Sequence, residues 1–209
     1  MRLDGKAFHT LTRRCEKPFD NIFSDCMKKT AIALCSEIQG SKCAYVQSDE
    51  ISILISDFDK LNTSAWFDYN IQKMTSIAAS IASVTFTKNF FIDGYGVVLP
   101  PQLALFDCRV FNIPKEEVCN YFIWRQKDWE RNSIHMLAQS HFSHNELMNK
   151  NQSDIHEMLY GKGVNWSKLS NEWKNGIFVY QHFGWRSSAA PEFSKCRSAI
   201  DGYFEGEEK

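Results

Sequence analysis

The stretch from Cys43 to Ile55 constrains the fold of this chain more than any other. Cys43-Ala44-Tyr45-Val46 suits a strand, and Gln47-Ser48-Asp49-Glu50 suits a turn. Ile51, Ile53 and Ile55 then alternate with Ser52, Leu54 and Ser56. Alternation of period two beside a polar turn predicts a β-hairpin with its acids at the tip. A helix is expected before it: Pro18 opens it, Ile22, Cys26, Thr30, Leu34 and Ile38 recur every four residues, and Gly40 is placed to stop it. The first four residues suit only a short strand ending in Asp4-Gly5. After the hairpin, Trp66 to about Asn89 reads as a long helix with Phe67, Ile71, Met74, Ala78, Ile81 and Thr85 on one stripe, and a strand falls within Leu103 to Ile113. The order β-α-β-β-α-β predicts an α+β fold on the ferredoxin-like plan. That plan makes neighbours of Asp4 and Asp49, which are 45 residues apart.

Beyond this unit, Gly94, Gly96, Pro100 and Pro101 suit a loop. A helix is expected from Pro114 to about Ser140, another near Asp154 to Tyr160, and a strand near Ile177 to Gln181, while Glu205 to Lys209 reads as a frayed tail. No internal repeat or long linker divides the chain, so residues 1–209 are read as one domain. Its sheet core is residues 1–113, and 114–209 form a helical extension with a returning strand.

Composition fits a packed globule. Of 209 residues 44% are apolar, and 16 Phe and 6 Trp supply large core side chains, with Trp124 and Trp129 expected among them. Lys plus Arg is 24 against 25 acids, a net charge of −1, which excludes a polybasic protein and leaves nucleic-acid contact to local patches. Candidate patches are Arg13-Arg14-Lys17, Lys28-Lys29, Arg125-Lys127-Arg131 and Arg186-Lys195-Arg197. Seven cysteines with no C-x-x-C read as reduced thiols of a cytoplasmic protein. No signal-like start is present, and the nearest approach to a membrane-length apolar run, Ile77 to Val84, is broken by Ser80 and Ser83.

Two carboxylates at adjacent strand ends are what a divalent cation needs. Mg²⁺ takes one or two carboxylates and completes its octahedron with water, phosphate or carbonyl oxygens. A pair of such ions activates a hydroxyl and neutralises phosphate charge. Gly5 lets its own carbonyl come close to a metal. Against this, Asp-Gly is a common turn dipeptide, acids at hairpin tips are usually solvated, and Lys17 and Lys73 read by default as surface lysines. Lys17, before Pro18 at a helix start, also suits an anion site. His141-x-x-His144, with His135 before it, lacks the partners of a zinc site. No G-x-S-x-G, G-x-x-x-x-G-K-[ST] or G-x-G-x-x-G occurs.

Several blocks together resemble one family, the tRNA-His guanylyltransferases and their bacterial, archaeal and phage relatives. They are Arg2-Leu3-Asp4-Gly5-Lys6-Ala7-Phe8-His9, Glu16-Lys17-Pro18-Phe19-Asp20, Tyr45-Val46-Gln47-Ser48-Asp49-Glu50-Ile51-Ser52, Phe106-Asp107-Cys108-Arg109-Val110 and Trp124-Arg125-Gln126-Lys127-Asp128. The resemblance implies a polymerase-type palm that adds nucleotides to the 5′ end of RNA, in the 3′-to-5′ direction. ATP activates a 5′-monophosphate as an adenylate, and the 3′-hydroxyl of an incoming nucleoside triphosphate, GTP or another, then attacks. By the same resemblance Asp4, Asp49 and Glu50 are catalytic, and Asp4, the Gly5 carbonyl and Asp49 hold two Mg²⁺. Asp4, Gly5, Lys6, Ala7, Phe8, His9, Lys17, Asp20, Ser48, Asp49 and Lys73 surround the nucleotide. Arg125, Arg131, Asn132 and Lys174 are candidates to touch tRNA, and a homotetramer is expected.

Two departures from the family pattern matter. Eukaryotic members follow the W-R-Q-x-D block with His-Ile-Asn-Asn, tied to non-templated G addition; here the stretch is Glu130-Arg131-Asn132-Ser133, as in the shorter bacterial-type relatives. That favours template-dependent repair of 5′-truncated tRNA over a dedicated G-adding enzyme. An inactive tRNA-binding module and a nucleotidyl cyclase are the remaining alternatives. Members also usually carry a longer lead before the first strand, where Met1 here stands three residues from Asp4.

Overall fold

The computed structural model describes residues 1–58, 62–94, 96 and 102–202. Pro100, Pro101 and the tail from Glu205 lie outside them. Six strands form one antiparallel sheet in the order β4-β1-β3-β2-β5-β6: β1 Arg2–Gly5, β2 Ser41–Gln47, β3 Glu50–Ile55, β4 Phe106–Arg109, β5 Ile177–Gln181 and β6 Trp185–Ala189. The first four strands carry the ferredoxin-like order, and the β5-β6 hairpin extends it from the edge of β2. Asp4 pairs with Glu50 on one side and with Asp107 on the other.

The pleat sorts the two faces. Leu3, Ala44, Val46, Ile51 and Ile53 pack beneath α2 (Asn21–Glu37) and α3 (Ile71–Thr87), against Met27, Ala31, Leu34, Ala78 and Phe86. Cys43, Tyr45, Leu54 and Phe178 face the other way, onto Val118, Cys119 and Phe122 of α4 (Val118–Gln139) and onto Phe193. Short helix α1 (Phe8–Leu11) follows β1, and α5 (His144–Leu147), α6 (Gln152–Gly161), α7 (Asn171–Asn175) and α8 (Arg197–Gly202) follow α4 among the described residues. The outer half of α4 packs on α6 through Ile134, Leu137, Ala138, Ile155 and Leu159. Gln126 ties this layer together: it donates to the carbonyls of Asn175 (3.1 Å) and Pro191 (2.8 Å) and accepts from the Phe193 amide (3.0 Å).

Three expectations are corrected. Helix α2 begins at Asn21, because the Asp20 carboxylate caps it by accepting from the Phe23 amide at 2.8 Å. The buried stripe of α3 is Met74, Ala78, Ala82 and Phe86, while Phe67 and Ile71 are exposed, since α3 carries apolar residues on two adjoining faces and its neighbours select one. Trp129 is core, but Trp124 is 55% exposed, resting on the Tyr121 ring and the Arg125 guanidinium rather than in the apolar clusters. The seven cysteines are thiols. Among the described residues no helix is long and apolar enough to cross a membrane.

Candidate active site

The site stands where β1 ends and the β2-β3 hairpin turns. The Gly5 amide donates to the Asp49 carbonyl at 3.1 Å, and the Lys6 amide to the Leu105 carbonyl at 2.8 Å, so three segments are stitched together there. Gly5 is required by packing. A Cβ at that position would stand 2.6 Å from the Phe8 ring, which is itself wedged among Phe23, Phe86 and Phe106. Ala7, at φ 56, turns the chain into α1.

A cleft of about 320 Å³ opens beside this junction, lined by Gly5, Ala7, Phe8, His9, Lys17, Asp20, Ser48 and Asp49 among others. Eight residues expected around a nucleotide are thus brought to one place. The Asp49 carboxyl is pushed up to about 6, first by burial and further by the negative charge of Asp4, with His9 and a hydrogen bond from Ser48 acting in the opposite direction. Among the described residues no cluster of three or more His, Cys, Asp or Glu stands ready as a metal cage. A mutually repelling carboxylate pair beside an open cleft nevertheless fits Mg²⁺, which binds through one or two carboxylates and draws its other ligands from phosphate and water.

The expected residues differ in what their side chains do. Phe8 is 2% exposed and serves chiefly as core beneath the cleft. Lys6 is exposed and does not line the cleft. Asp20 accepts from the amides of Glu16 and Phe23, both at 2.8 Å, so it folds the loop that carries Lys17. Lys17 itself donates to the Thr12 carbonyl at 3.2 Å. Lys73 is not brought to the cleft by this chain. The far part of α3 meets the site end, where Ser83 Oγ accepts from the Phe106 amide at 3.1 Å. Lys73 is ten residues earlier, about 15 Å along the axis. Its neighbour Met74 lines a groove with Met1 and Ile55 at the opposite end of β1.

Arg125, a candidate RNA contact, is turned inward. It is 6% exposed and donates through Nε and Nη2 to the two carboxylate oxygens of Glu50, at 2.7 and 2.8 Å, because a carboxylate as buried as Glu50 requires a counter-charge. Burial pushes the Glu50 carboxyl up, and the Arg125 charge opposes that shift. Arg131 and Asn132 are exposed and both donate to Asp128, which also accepts from Arg125 at 3.0 Å. Lys174, half-buried, donates to the Ser167 carbonyl at 3.0 Å.

Sequence reasoning missed the far wall of the cleft. A second, smaller cavity shares Asp20, Phe23, Ser48 and Met136 with it and adds Phe19, Trp129, Glu172 and Trp173. Phe19 and Trp173 stack at 4.8 Å and 8°. Glu172 is held by Lys28 (2.8 Å) and Ser24 (2.7 Å). No local signal near residues 172 and 173 marks them for this position.

A palm sheet whose strand end and hairpin tip bring two acids together beside a cleft suits a protein that acts on nucleotide phosphates. A profile described as Thg1: tRNAHis guanylyltransferase matches residues 1–114. A bacterial tRNA(His) guanylyltransferase (Thg1)-like protein in complex with ATP superposes with TM-score 0.93 at 40% identity, covering 97% of this chain and 88% of that one. A bacterial protein of the same description in complex with GTP gives TM-score 0.81 at 36% identity, over 97% and 87%. A probable tRNA(His) guanylyltransferase of Dictyostelium discoideum is 25% identical over 198 residues, 87% of this chain and 74% of its own length. The chain belongs to the tRNAHis guanylyltransferase family. It is accordingly an enzyme, a nucleotidyltransferase that adds to the 5′ end of tRNA in the 3′-to-5′ direction.

Proposed function

We propose that this chain repairs 5′-truncated tRNA by adding the nucleotide that pairs with the opposing base. The observation that carries the reading is Asp49, coupled by charge to Asp4, at a cleft that Gly5, Ala7, His9, Lys17 and Ser48 also line. The templated form rests on Glu130-Arg131-Asn132-Ser133, where Arg131 and Asn132 are exposed beyond Asp128 and Ser133 is buried, accepting from Trp166 Nε1 at 2.9 Å.

The substrates of the reading are ATP, to activate the 5′-monophosphate, and GTP or another nucleoside triphosphate as the group added. ATP and GTP are the ligands of the two bacterial relatives. Asp4 and Asp49, with the Gly5 carbonyl, would hold two Mg²⁺. When bound, the ions lower the cost of ionising the attacking hydroxyl and screen charge on the phosphates. This chain's residues do the rest. Lys17 sets positive charge at the cleft mouth, Ser48 and the Ala7–His9 turn bound it, and the aromatic wall of Phe19 and Trp173 limits access of water. Arg131, Asn132 and Lys174 remain the candidates to touch tRNA. The unit is the single catalytic domain 1–209, with 1–113 as palm and 114–209 as extension. It works in the cytoplasm as a homotetramer, and Lys73 reaches a nucleotide only where assembly brings it to a neighbouring cleft.

The test is a tRNA lacking its first 5′ nucleotide, supplied with a 5′-monophosphate, ATP, Mg²⁺ and each nucleoside triphosphate in turn, with the opposing base varied. Addition that follows the opposing base is expected. Addition of G whatever lies opposite would identify a G-adding enzyme, and tRNA binding without addition would identify a binding module.

A further inference from the structure

The turn that carries Asp49 is only two residues long, and both of its stems are gripped from the same point. Gln47 and Glu50 are register partners on either side of Ser48 and Asp49, and Ser48 stands at φ 47, a conformation few residues other than glycine hold unaided. Arg125 meets both stems. Its guanidinium donates to both oxygens of Glu50. With the Gln47 amide oriented so that both its atoms are satisfied, Gln47 accepts from Arg125 Nη2 at 2.6 Å and donates to the Arg125 carbonyl at 2.5 Å. The guanidinium is itself fixed. Asp128 stands 3.0 Å from Nη2, so that Glu50, Gln47 and Asp128 share its two hydrogens, and the Trp124 ring lies 4.6 Å from the central carbon.

We propose that Arg125 is a positioning residue for nucleotidyl transfer, a clamp on Gln47 and Glu50 that sets where the Asp49 carboxylate stands relative to Asp4. This rests on the reading that Asp4 and Asp49 carry the chemistry. A forked guanidinium engages both oxygens of a carboxylate through two nitrogens and so fixes its orientation, whereas an ammonium offers a point charge. Glu50 spends both oxygens on Arg125. It acts on the reaction through the backbone that it shares with Asp49 and is not itself a metal ligand.

The test uses Arg125→Lys and Glu50→Gln in the full chain, with three readouts: Mn²⁺ affinity from the electron paramagnetic resonance of the free ion, amide exchange across residues 47–51 without metal, and kcat and KM for the truncated tRNA. Each variant is expected to weaken Mn²⁺ about tenfold, the loss of one charge-assisted hydrogen bond. Each should also speed exchange at the turn and lower kcat with KM for tRNA within twofold. The double variant is expected to lose no more than the worse single one. Weakened Mn²⁺ in Glu50→Gln with normal Mn²⁺ in Arg125→Lys would overturn the proposal and make Glu50 a ligand. Unchanged exchange at the turn in both would also overturn it. Should Arg125→Lys not fold, Asp128→Asn loosens the same guanidinium and is read in the same way. Wild-type protein that shows the exchange and Mn²⁺ pattern but extends no tRNA refutes the proposed function and leaves the clamp standing.

Discussion

The Gly5 amide and the Asp49 carbonyl are joined by a 3.1 Å hydrogen bond across 44 residues of sequence. It fixes the end of β1 against the hairpin tip and so holds Asp4 near enough for its charge to raise the carboxyl of Asp49, which lines the cleft. The site is therefore a property of two strand ends held in register.

Asp49→Asn keeps the side-chain shape and removes the charge. Nucleotide addition is expected to fall by at least about a hundredfold. The metal-free melting temperature is expected to hold or rise, because a half-buried charge without a full counter-charge is removed. Single-turnover assays and thermal denaturation check the two halves; a melting temperature that collapses would show that Asp49 is structural.

The Asp49 carboxyl, raised to about 6, gives a pH signature. For an acid with a raised folded value, the contribution to stability is present below the ordinary carboxylate range and is lost as pH rises through about 6. Metal requires the ionised form, so Mg²⁺ should bind about tenfold more weakly at pH 5 than at pH 7, one pH unit below the titration costing a factor of ten. Calorimetry near pH 6 in two buffers of different ionisation heat should detect a proton released on binding. Equal affinity at pH 5 and 7 would contradict the geometry.

Gly5→Ala drives a Cβ to 2.6 Å from the Phe8 ring. A loss of about 1–3 kcal/mol is expected from overpacking, read by urea denaturation. Adding Phe8→Leu should recover part of that loss, since the obstacle is a side chain. If Phe8→Leu makes no difference, the clash is elsewhere.

Gly176→Ala differs because the obstacle includes backbone. Gly176 has φ 83, and a Cβ there would stand 2.7 Å from the Tyr45 ring and 2.8 Å from the Val46 carbonyl. Left-handed strain and the clash together should cost about 2 kcal/mol or more. Tyr45→Leu should rescue little, because the carbonyl stays. A Gly176→Ala protein as stable as wild type in urea would refute the close approach of β2 and β5 at this point.

Much of the fold was legible because its signals are local. The alternation of Ile51, Ile53 and Ile55 predicts a strand facing two layers, and those residues pack as that period requires. The β5 run Ile177–Gln181 was legible for the same reason, whereas its partner Trp185–Ala189 was not, because a mostly exposed edge strand of Arg and Ser carries little apolar pattern. The α3 stripe was read one face off, since its small and apolar residues surround more than half the helix.

The sequence by itself determined the acids and their order: Asp4 before a glycine, Asp49 and Glu50 at a hairpin tip, Arg125 in a helix. Tertiary structure alone decided what each acid does. Side chains at one register position point to one face, and only the helix laid over that face distinguishes them. Arg125, 75 residues from Glu50, neutralises that carboxylate. Asp4 and Asp49 lie past the reach of that clamp and are left to repel each other across the cleft. Trp173 and Phe19 meet only because α7 folds back against α2's leading loop. Local periodicity encodes which elements form, while the charge balance of the site depends on contacts between distant segments, and no local pattern carries that information.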